Sequence, residues 1–562
     1  MGEYVMLKKL SRLYHTVKYL KPIQIVGRLQ LFIPRVISER ESYPELRPLS
    51  VSTEFCTKPK STADFNEFTF LSETHRLSDI GWNPETISKL WIYNLHYFDF
   101  ILSRADPDEK DKRTICELMD QWVDENPFGK GNGWEPYPTS LRIVNWIKWY
   151  HSVEPLSENI CKSLWNQLRW LADRPEFHLL GNHLFANAKA MVIGSILFEG
   201  EEAKKIQDKG LQILKEQLNE QFLADGGHFE RSPMYHALAM EDLLDLFILS
   251  ENFSTVFPKT EIKEKFQKGM QWFSLMSYEN KEFPHFNDCA NGTAPTLSQL
   301  QQVARSTGIN HLLLVKEENV NLVKEEGVVL MKESGFIVAQ RERCKLIADI
   351  GNIGPSYQPG HAHAETLSFE FSLDGHRVIV NSGTSQYGTG AERLRQRSTS
   401  AHSTVEIDDK NSSDVWSGFR VAERARVRDI EFDDPVSDSP LVLSASHDGY
   451  QRLPGKNIHH RTWKLNENSL TITDTISGRF YRAVSRFYLH PDFVCHSIEN
   501  GTIFHHKKIG KVYLRARSGK KEIPIVMKES TYHPEFGVTL KNSCAEILFT
   551  DTHEVSVELT WT

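Results

Sequence analysis

Two hydrophobic periods divide the chain. From about residue 110 to 310, apolar residues recur every three to four positions in eight segments: RTICELMDQWVDE, TSLRIVNWIKWYH, ICKSLWNQLRWLA, LFANAKAMVIGSILF, IQDKGLQILKEQL, ALAMEDLLDLFIL, KEKFQKGMQWFSLM and TLSQLQQVARS. Side chains three and four apart share one face of a helix, and short Gly, Pro or Asn stretches separate the segments. Eight helices in series with aromatic connections predict antiparallel pairs around a common centre. From Val328 onward the period drops to two. GVVLMKES, GFIVAQRE, CKLIADIG, TLSFEFSL, HRVIVNSG, SLTITDTI, AVSRFYLH, KVYLRARS, IPIVMKES, AEILFTD and VSVELTWT read as strands joined by Gly, Asn and Asp turns. So many strands without intervening helices predict sandwich-type sheets.

The expected domain boundary lies near residues 315–328, a charged stretch (VKEENVNLVKEEG) without a core pattern. Residues 1–80 are weakly periodic and rich in Pro and Ser, and are expected to wrap the helical domain. This gives an N-terminal wrapping segment (1–80), a helical domain (81–325) and a β-sandwich domain (326–562). The chain shows no tandem repeat and no low-complexity tract.

Composition narrows the function. The chain has 562 residues, 40% of them hydrophobic, enough for a large core. Its formal net charge of -8 leaves no basic excess to neutralise phosphates, so no nucleic-acid partner is expected. A local arginine cluster can still hold an anionic substrate. Seven cysteines without a CxxC pair do not form a disulfide framework. No apolar run approaches the ~20 residues of a spanning helix, so stable membrane insertion is not expected. The N-terminus lacks a secretory h-region, and a cytoplasmic location is expected, with a periplasmic one left open. The basic, partly amphipathic first thirty residues read as a helix packed on the body, with a membrane-surface contact as the alternative.

Four segments carry candidate chemistry. In GNHLFANAKA (181–190), helical spacing puts His183 and Asn187 on one face and Asn182 beside them. They read either as a polar network bridging helices or as a site. In DGGHFERSPMYHALAMEDLLDL (225–246), Ser232 and Pro233 look like an N-cap and first helical position, which places Tyr235 in the first turn. There the helix dipole would depress the phenol pKa and make it a general base; an ordinary interfacial tyrosine is the alternative. His228, Glu230, Arg231 and His236 crowd the same turn.

In PSYQPGHAHAETLSFEFS, His361 and His363 alternate on a presumed strand. An HxH pair of this kind is a metal half-site that Asn381 and His402 could complete, though Asn is a poor zinc ligand. A hydrogen-bonded pair is the other reading. In GAERLRQRSTSAH, Arg393, Arg395 and Arg397 alternate, and guanidinium forks suit carboxylate or sulfate. Trp134 and Tyr137 in GWEPYPTSLRIVNW could stack on sugar rings or pack between helices. No GxSxG, P-loop, GxGxxG or HExxH string occurs.

Taken in order, WIYNLHYFDF, EPYPTSLRIVNW, GNHLFANAKA, DGGHFERSPMYH, QPGHAHAETLSFEFS, VNSGTSQYG, RLRQRSTSAHSTVEID and SSDVWSGFRVA resemble the heparinase II/III-like polysaccharide lyases. The similarity is to the branch found with bacterial exopolysaccharide and capsule biosynthesis. The resemblance implies a multidomain α plus β protein, an N-terminal (α/α) toroid followed by a C-terminal antiparallel β-sandwich. It implies β-elimination at a uronic acid, with an acidic polysaccharide or oligosaccharide as partner. Asn182 and His183 would bind the uronate carboxylate, Tyr235 would act as base and acid, and His361 would assist. His236, Glu230, Arg393, Arg397, Trp134 and Tyr137 are the expected substrate-binding residues. A structural zinc in relatives suggests His363, Asn381 and His402 as ligands here, with Asn where relatives use Asp. Some members carry Glu where this chain has Ala186. The alternatives are a glycoside hydrolase on the same scaffold and a non-catalytic glycan-binding protein. An exposed sandwich face could pair two copies into a homodimer.

Overall fold

The computed structural model describes the chain except residues 1, 34, 36, 48–53, 60, 63, 104–106, 154, 251–256, 280–281, 309–325, 434–438, 499–500 and 562. The expected boundary stretch therefore lies, up to residue 325, outside the described residues. All eight predicted helices form: Glu109–Glu125, Pro136–Ser152, Glu158–Asp173, Gly181–Ile196, Glu201–Gln221, Pro233–Ser250, Lys259–Met276 and Leu297–Ser306. Local signals start them. Asp108 and Ser157 accept the backbone N–H three residues on, and Thr296 and Gln299 make a reciprocal capping box.

The helix Gly181–Ile196 is apolar almost all round, and every residue from Leu184 to Ile196 is buried. It packs against the helices Pro136–Ser152, Glu158–Asp173, Glu201–Gln221 and Pro233–Ser250 and forms the middle of the helical toroid. A Trp-rich core that includes Trp91, Trp122, Trp146 and Trp149 fills the space beside it.

The C-terminal part is a sandwich of two antiparallel sheets, each with eight strands in line and a ninth beside them: Lys521–Glu522 on Gly510–Ser518 in the first, Val405–Ile407 on Ala483–Leu489 in the second. One runs in the order Val427–Asp433, Leu441–His447, Ile458–Leu465, Ser469–Ser477, Glu554–Trp561, Gly510–Ser518, Gly501–His506, Val494–Ile498. The other runs Ile525–Tyr532, Leu540–Leu548, Ala483–Leu489, His376–Val380, Phe369–Leu373, Cys344–Asp349, Phe336–Arg341, Gly327–Met331. Alternation along Ser469–Ser477 sends Leu470, Ile472, Asp474 and Ile476 inward. Phe369 meets Trp463 and Phe371 meets Trp561 across the two layers, with ring centroids 6.3 and 5.3 Å apart.

The toroid is fixed to the outer face of the second sheet. Trp272, Met276 and Phe286 pack on Met331, Phe336 and Ile347. Polar bonds pin the same seam: Trp272 donates to Ser334 at 2.9 Å, Tyr278 donates to Glu370 at 3.0 Å, and the Asn287 N–H donates to Glu365 at 2.6 Å. The cluster of polar residues described next lies along this seam. At the N-terminus, two helices (Gly2–Val17 and Pro22–Gln30) lie outside the main body and touch both domains.

Two local predictions fail here. His361 and His363 lie in a loop, because the backbone there is held by toroid and loop groups rather than by a neighbouring strand. The Asp288 N–H donates to His361 O at 2.9 Å, the His363 N–H to Asn287 at 3.1 Å, and the Ala364 N–H to Arg397 O at 2.9 Å. The alternate positions Arg393, Arg395 and Arg397 do not share one side. Ala391–Gln396 is a helix that Arg397 ends, so Arg393 and Arg397 share its buried face.

Candidate functional site

Tyr235 sits in the first turn of the helix Pro233–Ser250, and its N–H donates to the Ser232 hydroxyl at 3.3 Å, the cap its sequence suggests. Its ring lies against His361 of the sandwich domain, with centroids 3.9 Å apart and planes 32° apart. Its hydroxyl bonds the Tyr387 hydroxyl at 2.9 Å. The expected lowering of the Tyr235 pKa does not occur. Burial, then Tyr387 and Asp288, push the phenol well above its usual 10, since a phenolate there would be desolvated beside negative charge. At rest Tyr235 is a proton donor.

His361 is oriented from behind. Asp288 receives Arg393 through two bonds, so its carboxylate is ionised; burial opposes this, but Arg393, His361 and His363 hold it well below the carboxylate range. An ionised carboxylate only accepts, so His361 donates from Nδ1 over 3.0 Å and His363 donates from Nε2 over 2.9 Å. This turns His361 Nε2 toward Glu230, 4.0 Å from its Oε2. Glu230 is buried, and burial raises its pKa against the pull of His361. Its Oε1 accepts the Asn182 N–H at 3.3 Å, while its Oε2 has no hydrogen-bond partner among the described residues. Asn182 Oδ1 and Gln358 Oε1 are unpartnered in the same way.

The toroid helix brings Asn182 and His183 to this pocket at its N-terminus. Gly181 is required there: its φ is +61°, and an added Cβ would fall 2.0 Å from Gln358 Oε1 of the sandwich loop. His183 bonds Glu176 at 3.1 Å and stacks on Tyr137 at 4.4 Å. Burial disfavours its imidazolium, but Glu176, and then Glu230, outweigh that and raise its pKa. Glu176 also accepts from the Asn187 amide at 3.1 Å and supplies a carboxylate partner although position 186 is Ala.

Asn182, His183, Glu230, Tyr235 and His361 therefore meet along one seam, with Tyr137 beside His183 and Arg393 behind Asp288. Four expected substrate contacts do not meet there. Arg393 is fully buried and gives its guanidinium to Asp288 and the Gly418 carbonyl. His236 is buried, donates to or accepts from nothing in the pocket, and bonds Gly269 O at 2.9 Å while stacking on Trp272. Trp134 is wedged between Trp122 and Trp170, with its indole N–H on Asn126 O at 3.1 Å. Arg397 spends its guanidinium on the carbonyls of Ala362 and Ser417. Trp134 and Arg397 have the polar partners that burial demands, while His236 satisfies Nε2 and leaves Nδ1 unpartnered among the described residues. Tyr387, Asp288, Glu176 and Glu365 belong to the site but were not picked out. Only Glu365 had a signal, as the third alternate position in HAHAE.

The expected metal set is also revised. His363 and His402 are joined by Glu365, all three buried and with candidate ligand atoms within 4.8 Å of one another. Asn381 is occupied elsewhere: it accepts the Ser403 N–H at 3.0 Å and donates to Ser368 at 3.4 Å. The donor set fits a divalent cation. His363 gives its Nε2–H to Asp288, and His402 gives its Nδ1–H to Ser398 O at 2.7 Å. Two lone pairs then face each other across 3.1 Å, with Glu365 Oε2 3.1 Å from His402. Burial lowers the imidazoles to about 3 and about 4, which keeps them neutral as metal ligands must be, and raises Glu365 well above its usual value, so a cation there would displace the proton that burial favours on its carboxyl.

A helical toroid closed against a two-sheet sandwich, with polar residues of both meeting at one seam, defines a two-domain class of protein. Family models agree over most of the sequence: the heparinase II/III N-terminus matches residues 59–308, and the heparinase II/III-like C-terminal model matches residues 324–562. The chain belongs to the heparinase II/III-like family. It is 26% identical over 245 residues to a heparin-sulfate lyase of Bacteroides thetaiotaomicron, covering 39% of this chain and 35% of that protein. It is 24% identical over 382 residues to a heparin-sulfate lyase of Bacteroides stercoris, covering 59% of this chain and 56% of that one. The matches thus span about a third to just over half of those relatives. In fold it is similar to a crystal structure of heparinase III, with a TM-score of 0.69 at 18% identity, covering 86% of this chain and 79% of that one. A heparan sulfate lyase from Pedobacter heparinus superposes with a TM-score of 0.56 at 17% identity, covering 88% and 81%.

Proposed function

We propose that the protein is a polysaccharide lyase that cleaves a uronate-containing acidic glycan by β-elimination. The observation that carries this reading is the Tyr235–His361 contact: a neutral phenol packed against an imidazole that Asp288 orients through Nδ1. In this reading the uronate carboxylate lies against the Asn182 amide and the His183 imidazolium, which disperse its charge and acidify C5–H. His361 Nε2 takes the C5 proton, the C5–H electron pair forms the C4–C5 double bond, and the C4–O bond breaks. Tyr235 gives its proton to the departing oxygen, and Tyr387 steadies the phenolate left behind. The unpartnered Asn182 Oδ1, Glu230 Oε2 and Gln358 Oε1 accept sugar hydroxyls.

Zinc is proposed on His363, Glu365 and His402, where it would balance the buried Glu365 charge and tie together the loop that carries His361. The chemistry above needs nothing else from it. The family relatives are named for heparin or heparan sulfate, and the motif resemblance is to members tied to exopolysaccharide and capsule synthesis, so both glycan types belong in the test. Uronic-acid polysaccharides incubated with the protein should develop the ultraviolet absorbance of a 4,5-unsaturated uronate. New reducing ends without that absorbance would identify a hydrolase, and glycan retention without either would identify a binding protein.

A further inference from the structure

The two N-terminal helices are amphipathic in the reverse of the usual sense. Their inner faces are polar or small. Arg12 bonds Asp414 at 2.9 and 2.8 Å, Thr16 accepts from the Trp416 indole at 3.1 Å, and Gln24 donates to the carbonyls of Leu179 and Tyr357. Gly27 sits so close to His178 that a Cβ would come 2.7 Å from its backbone nitrogen. The apolar residues point away from the body. Met6, Leu10, Leu13, Tyr14 and Val17 make one stripe on the first helix, and Ile25, Val26 and Leu29 make another opposite Gln24 and Gly27 on the second. Leu31, Phe32 and Ile33 follow, with Phe32 85% exposed. Of the twenty large hydrophobic side chains exposed among the described residues, twelve lie between Met6 and Ile33, so this is a patch and not scatter.

Charge is segregated on the same segment. Residues 1–35 contain seven Lys or Arg and one Glu, in a chain whose net charge is -8. On the first helix the exposed Lys9 and Lys18 flank the apolar stripe on its two sides. Long basic side chains beside an apolar face can reach lipid headgroups while the face enters the acyl boundary.

We propose that the N-terminal helices form a peripheral docking surface for an anionic lipid bilayer. Charge complementarity selects this occupant. A second copy of the chain would bring the same basic margin against itself, since a two-fold contact pairs identical surfaces. The helices bond the Tyr357 and Trp416 segments of the sandwich domain, and Tyr357 precedes Gln358, which meets Gly181, so docking would hold that seam near the membrane without any segment crossing it. Among the described residues no helix is long and apolar enough to cross a membrane.

The test is sedimentation of the full chain with phosphatidylcholine vesicles containing about 30% phosphatidylglycerol and with phosphatidylcholine alone. The protein should pellet with the anionic vesicles and be released at roughly 0.5 M salt. Leu10→Glu/Leu13→Glu and Lys9→Glu/Lys18→Glu should each cut the bound fraction at least about tenfold. Ile430→Glu/Phe432→Glu, exposed on an edge strand of the sandwich, should leave binding unchanged. Melting curves check folding, and Phe32→Glu, at the most exposed site, replaces any variant that fails to fold. No pelleting with anionic vesicles, pelleting that survives the substitutions, or a dimer that Leu10→Glu/Leu13→Glu dissociates would each overturn the proposal.

Discussion

His361 and Asp288 form a directed pair: the imidazole Nδ1–H donates to a carboxylate oxygen over 3.0 Å, and this turns Nε2 toward Glu230. Asp288 holds His363 by its other oxygen and is itself held by Arg393. One buried carboxylate thus links the pocket to the His363–Glu365–His402 cluster. It is the joint on which the toroid loop and the sandwich loop agree.

Asp288→Asn tests that joint. The amide would favour the wrong imidazole tautomer, so kcat should fall by roughly two to four orders of magnitude while KM changes little, as expected when a base loses its orienting carboxylate. Arg393 would lose its buried counter-charge, and the melting temperature should fall by several degrees. A normal kcat in a folded variant would dissociate His361 from the chemistry.

The His183–Glu176 pair makes a pH prediction. The folded pKa of His183 is raised, so its contribution to stability is full below about 6.5 and is lost as pH rises through the higher folded value. The folded pKa of Glu176 is depressed, so its contribution is full above about 4.5 and is lost as pH falls through the lower folded value. The pair should therefore stabilise most between about pH 4.5 and 6.5. Melting curves of the wild type and Glu176→Gln should differ by several degrees in that window and converge toward pH 9. A difference independent of pH would contradict the assignment.

Metal analysis of the purified protein should return about one zinc per chain, and dialysis against a chelator should lower the melting temperature. Glu365→Gln should reduce zinc retention, whereas Asn381→Ala should keep the metal and cost about 1–2 kcal/mol through the lost Ser403 bond. Metal loss in Asn381→Ala with retention in Glu365→Gln would restore the ligand set expected from the sequence.

Gly181→Ala should destabilise the fold by about 1–3 kcal/mol, because φ is +61° and the new methyl meets Gln358. Turnover should fall with it, since the helix end carrying Asn182 and His183 must move. Thermal melting and initial rates measure the two effects separately.

The helices were legible because apolar residues recur every three to four positions over helix-length runs, even in Gly181–Ile196, which is buried nearly all round, and Ser232 marks the start of Pro233–Ser250. The eleven predicted strands appear for the same reason. Val427–Asp433 and Ile458–Leu465 escaped because exposed Arg, Asp and Glu on an edge strand, and buried His and Arg that find partners in Asp474, both erase the alternation of apolar residues. At the site, Asn182, His183, Tyr235 and His361 could be read because they lie in short polar strings within apolar surroundings. Asp288 and Tyr387 could not, since their roles depend on loops distant in sequence: Asp288 meets Arg393 across 105 positions, and Tyr387 meets Tyr235 across 152. His236, Trp134 and Arg397 misled for the converse reason. A buried polar or aromatic side chain looks like a ligand contact until its internal partner is known.

The most direct test of the central claim is the ultraviolet rate of unsaturated-uronate formation, on whichever acidic glycan the wild type cleaves, for Tyr235→Phe. The substitution removes one hydroxyl and keeps the ring against His361. The rate should fall by at least about a thousandfold with the melting temperature nearly unchanged. A near-native rate in that variant would contradict the elimination at this pocket.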